Sequence, residues 1–149
     1  MHIKQFSAII LSIFFLLPCS LMSQESRDIA TVKSILLRQQ NDWNKGDIDA
    51  FMNGYWESDN LKFVGATGIT YGYEATLKNY HKRYPDRAAM GQLTFGIKSV
   101  EKLSRKVIML VGTWDLDRAS GPIGGYFTLM WKKIKGEWVV ISDHTSARP

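Results

Sequence analysis

The chain has 149 residues, with 19 lysines and arginines against 14 acids for a net charge of +5. One cysteine excludes an intrachain disulfide. The basic residues are scattered, which argues against nucleic-acid binding, where a patch or stripe is needed.

Residues 1–23 read as a secretory leader. Lys4 is the only charge before an apolar run over 6–17. About a dozen residues fit the ~7–15 of a leader core and fall short of the ~20 of a membrane span. Pro18 stops the run, and a cut after Ser23 leaves residues 24–149 as an exported chain. That chain lacks thiol nucleophiles and thiolate metal ligands, and it is long enough for one domain with a real core. The rival reading is a lipid anchor at Cys19, because Leu16-Leu17-Pro18-Cys19 loosely resembles a bacterial lipobox. Proline before the cysteine departs from that pattern.

Residues 25–45 predict a helix, with Ile29, Val32, Leu36 and Trp43 on one stripe. Gly46 suits its C-terminal turn and Asp47 the next N-cap. A second helix then carries Ile48, Phe51, Met52 and Tyr55 on one face and ends near Ser58-Asp59-Asn60. Residues 61–64 and 69–71 read as a short hairpin around Gly65-Ala66-Thr67-Gly68. A third helix spans about 73–84 and stops at Pro85, and 86–90 reads as loop. Four longer strands follow, at 92–103, 106–117, 126–134 and 137–146. Gly121-Pro122-Ile123-Gly124-Gly125 has the glycines of a phosphate loop without the strand–loop–helix context, and reads as a turn. Helices followed by a meander predict an α+β fold: three helices packed on a curved, mostly antiparallel sheet, with a cavity between them.

This order, with Trp43-Asn44-Lys45-Gly46-Asp47, Phe63-Val64-Gly65, Phe127-Thr128-Leu129-Met130-Trp131-Lys132 and Gly136-Glu137-Trp138-Val139-Val140 leading into Asp143-His144-Thr145-Ser146, resembles the nuclear transport factor 2-like superfamily. Within it the chain looks most like the SnoaL-like group of small bacterial proteins. The resemblance implies a cone-shaped barrel with a deep pocket, commonly a homodimer through the sheet. The superfamily holds isomerases, cyclases, dehydratases, an association domain and non-catalytic binders, so function must be argued from the site.

Strict alternation along the last strand puts Trp138, Val140, Ser142, His144 and Ser146 on one face and Val139, Ile141, Asp143 and Thr145 on the other. The resemblance implies that the histidine side faces the pocket. His144 then becomes the candidate proton carrier, with Tyr55 or Tyr80 as hydrogen-bond donor; the competing reading is a structural histidine bonded within the core. Trp43, Trp56 and Trp114 are candidate ligand-binding walls, with Thr128 and Ser146 as polar contacts, although aromatics of this kind are more often plain core. His81, beside Lys82 and Arg83, reads as a surface residue. Arg118 is a candidate anion contact, a solvated charge being the simpler reading. Two histidines after the leader, far apart and without matching carboxylates, argue against a metal centre, and no cofactor is expected. Two functions stand as expectations. One is binding of a small organic molecule in a polar-lined pocket, with or without cofactor-free acid–base turnover of isomerase, cyclase or dehydratase type. The other is a non-catalytic association domain, whose aromatics would pack tightly and leave little cavity.

Overall fold

The computed structural model describes residues 19–148; the expected leader up to residue 18 lies outside them. The first helix, α1 (Cys19–Lys45), closes on Gly46, whose φ of 89° is the left-handed turn a glycine takes readily. Asp47 caps α2 (Ile48–Met52) by accepting from the Ala50 amide at 2.8 Å. The strands β1 (Lys62–Gly65) and β2 (Gly68–Tyr71) form a short hairpin, and α3 (Tyr73–Arg83) comes next. Residues 86–90, expected as loop, contain one helical turn, α4 (Arg87–Met90), because the Asp86 carboxylate accepts from the Ala89 amide at 2.8 Å.

The meander is β3 (Gln92–Ser104), β4 (Val107–Asp117), β5 (Ile123–Ile134) and β6 (Glu137–Ala147). The six strands form one sheet in the order β2-β1-β6-β5-β4-β3. All neighbours are antiparallel except β1 and β6, which run parallel. The fold is therefore the α+β arrangement expected, helices packed on a curved sheet. Val32, Leu36 and Trp43 of α1, Ile48, Phe51 and Met52 of α2, and Ile108, Leu110, Leu129, Trp131 and Val140 of the sheet make the core. No helix among the described residues is long and apolar enough to cross a membrane.

Two departures from the expected elements shape the cavity between helices and sheet. The second helix is shorter than its apolar periodicity suggests. It ends at Met52, and the chain then lies along the sheet, with Val140 donating to the Gly54 carbonyl and the Trp56 amide donating to Val140, both at 2.9 Å. Tyr55 thus makes a parallel bridge to Val140 instead of ending a helix. The second departure is in β6. The β5–β6 register slips between Met130 and Trp131: Trp131 pairs with Val140, but Met130 pairs with Ser142. Ile141 is the extra residue of a β-bulge.

Candidate functional site

The bulge decides which residues face inward. Trp138 and Val140 point into the core, as alternation predicts. One extra residue then inverts the alternation, so Asp143 turns inward and is 5 % exposed, while His144 is exposed on the opposite face. The expectation that His144 lines the pocket is thereby corrected: the carboxylate two residues after the bulge takes that place. Thr128 pairs with His144 across β5 and β6 and shares its outer face.

Behind the sheet lies a cavity of about 520 Å³. Its walls combine aromatic and aliphatic side chains with polar ones, among them Gln39, Asn79 and Asp143. Of the residues singled out in the sequence, Tyr55, Tyr80, Trp43, Trp114 and Ser146 line it; His144, Thr128 and Trp56 do not. The aromatic side is organised by Trp43, whose ring meets Phe51, Tyr80 and Tyr84 edge-on at 5.2, 6.0 and 4.8 Å between centroids. Its indole N–H donates to the Met90 carbonyl at 3.2 Å, which satisfies the polar atom of a buried ring. Tyr80 continues the cluster against Phe51 and Phe63 at 5.3 and 5.7 Å.

Asp143 is the single carboxylate among the described residues lining the cavity. The Tyr55 hydroxyl donates to its Oδ2 at 2.7 Å, and Oδ1 is buried without a partner. Burial raises the Asp143 carboxyl to about 7, and the Tyr55 hydrogen bond opposes that rise without cancelling it. Burial and then the charge of Asp143 hold the hydroxyls of Tyr55 and Tyr80 well above the usual tyrosine value, so both stay protonated donors. Tyr55 owes its position to the backbone bonds of Gly54 and Trp56 to Val140, three residues before Asp143 on β6.

A carboxyl balanced between its two forms near neutral pH, beside neutral phenols in an apolar cavity, can take a proton from a bound molecule and return it. Among the described residues no group of three or more metal-ligating side chains stands together. Asp143 escaped the sequence reading because a bulge leaves no motif of its own. The signal that hinted at it is the apolar run Val139-Val140-Ile141, which breaks the alternation just before the aspartate.

Comparison with solved structures places this geometry. An NTF-2-like protein of unknown function from Shewanella oneidensis is 39 % identical, superposes with a TM-score of 0.77, and is matched over 80 % of this chain and 98 % of its own. The chain belongs to the nuclear transport factor 2-like superfamily. More distant solved structures share its fold at 17 % identity. A ketosteroid isomerase-like protein from Erwinia carotovora has a TM-score of 0.65 over 80 % of this chain and 95 % of that one. A putative calcium/calmodulin-dependent protein kinase II association domain from Xanthomonas campestris has 0.62 over 83 % and 88 %. No family model and no curated protein matches the sequence. The superfamily is thus shown by the Shewanella relative, and the remaining neighbours speak for the fold alone.

Proposed function

We propose that this domain binds a small, mainly apolar organic molecule in the cavity and that Asp143 moves a proton on it. The observation that carries this reading is the buried Asp143–Tyr55 pair facing a cavity of about 520 Å³. Ionised Asp143 removes a proton from a carbon next to a carbonyl. The electron pair shifts onto the carbonyl oxygen, and a tyrosine hydroxyl donates to that oxygen. The oxygen's electron pair then returns, and the protonated carboxyl delivers the proton to the other face of the same carbon or, where a C=C is conjugated with the enolate, to the far end of that double bond, so an isomerisation balances without any co-reactant. The leader-like residues 1–23 support export of the domain, and the superfamily's habit of pairing through the sheet supports a homodimer. An association role needs no cavity, and the open volume supports it less.

The test uses 1-tetralone, an apolar ketone, in deuterated buffer at pD 7, with loss of its α-proton signal followed by NMR. The wild-type protein should accelerate exchange. Asp143→Asn keeps the shape of the site but has no proton to shuttle, and should lose about a hundredfold of that acceleration; Tyr80→Phe should lose less. Wild-type protein that neither binds the ketone nor speeds its exchange would sink the proposal.

A further inference from the structure

The charges of the cavity are segregated. Among the described residues its one carboxylate is Asp143, while its two cations, Lys82 and Arg83, sit in the last turn of α3 among exposed residues. A third cation, Arg118, lies outside the cavity lining but packs on Gly91, next to the Met90 carbonyl that holds Trp43. The Arg83 guanidinium lies 5.9 Å from the centroid of the Tyr84 ring, and both arginines act on the Tyr84 hydroxyl, opposing the effect of its burial. Tyr84 itself lines the cavity and packs on Trp43. Arg118 is held there by donating from its Nε to the Gly121 carbonyl at 3.3 Å and by packing on Gly91, where a Cβ would come within 2.4 Å of its Cγ.

Among the described residues none of these three cations has a carboxylate within 4 Å. His81, one residue earlier on α3, is by contrast engaged with Asp49 at 3.2 Å. The last turn of a helix does favour cations through its dipole, which accounts for basic residues in that turn. It does not account for Arg118, which comes from the far end of β4 and converges on the same tyrosine.

We propose that the molecule taken by the cavity is an amphipathic anion, its apolar body against the aromatic walls and its carboxylate or sulfonate held at the rim by Arg83, Arg118 and Lys82. This rests on the reading of the cavity as a ligand site and names the class of ligand. Lys82 and Arg83 are solvated and Arg118 is half-buried, so their effect is moderate and sensitive to salt. They select among ligands that the apolar cavity would otherwise accept equally.

The experiment compares 2-naphthoate with 2-naphthamide, which match in size and differ in charge, by isothermal titration calorimetry at low and at ~0.5 M salt. Wild-type protein at low salt should bind the carboxylate roughly three- to tenfold more tightly than the amide. The preference should vanish in high salt and in the triple variant Lys82→Gln/Arg83→Gln/Arg118→Gln, whose affinity for the amide should stay unchanged. Equal binding of both probes by the wild type, or a preference that survives the triple substitution, overturns the anion assignment and leaves the cavity a ligand site. Binding of neither probe overturns both proposals.

Discussion

At the scale of a single residue, Asp143 trades stability for chemistry. Its carboxyl is raised from 3.8 to about 7 in the folded state, chiefly by burial. The folded protein therefore holds a proton that the unfolded chain releases near pH 4, and unfolding is favoured as pH rises between the two values. Wild-type stability should fall as pH is raised from about 4 to about 7 and change little through this group above that. The loss is on the order of 4 kcal/mol, from roughly three pKa units at ~1.4 kcal/mol each. Asp143→Asn removes the charge without emptying the site. Urea titrations at pH 5 and pH 8 should show that this variant lacks the decline and exceeds the wild type at the higher pH. An unchanged pH profile in the variant would show that another group is responsible. Gain of stability on losing a site residue is the signature of a position kept for function.

At the scale of elements, helix and strand periodicity in the sequence anticipates α1, α3 and the meander, because these are long and their apolar spacing is regular. It fails where backbone geometry departs from the period. The bulge at Ile141 turns the second half of β6 over, which is why strict alternation puts His144 where Asp143 stands. Gly124 and Gly125 read as part of a turn, since glycine weakens strands, yet β5 already begins at Ile123. Close approach is what requires them: a Cβ on Gly125 would lie 1.7 Å from the Ser146 carbonyl oxygen and 2.8 Å from the Trp114 indole nitrogen. That nitrogen donates to the same carbonyl at 3.1 Å and ties β4 across β5 to the end of β6 at the cavity wall. Gly125→Ala must therefore separate two backbones instead of shifting a flexible side chain. It should cost more than about 3 kcal/mol in urea unfolding and alter Trp114 fluorescence. A cost under about 1 kcal/mol would mean that the strand end gives way freely.

At the scale of the whole molecule, the cavity and the most heavily bonded polar group lie at different ends of the sheet. Asp28 of α1 is 4 % exposed. It accepts from Lys102 at 2.6 Å, from Lys133 and the Trp138 indole at 3.1 Å, and from Gln24 at 3.0 Å. Burial alone would raise this carboxyl, but the four hydrogen bonds together hold it well below the usual carboxylate range. Its contribution is present above the unfolded value near 4 and is lost as pH falls below that. This is the opposite sign to Asp143. None of this was legible in the sequence, because its members lie on α1, β3, β5 and β6 and no local pattern joins them. Asp28→Asn leaves two ammonium groups facing an amide and should cost about 3 kcal/mol, while affinity for 2-naphthamide stays unchanged. Across the bulge Trp138 and Asp143 pair with Lys133 and Leu129, four residues apart on β5, roughly 13 Å at ~3.3 Å per residue, and they share no partner. The double variant Asp28→Asn/Asp143→Asn should therefore show unfolding free energies that add to within about 0.5 kcal/mol at pH 8. Coupling beyond about 1 kcal/mol would mean that the closed end and the cavity respond as one unit, so that ligand entry would be felt at α1.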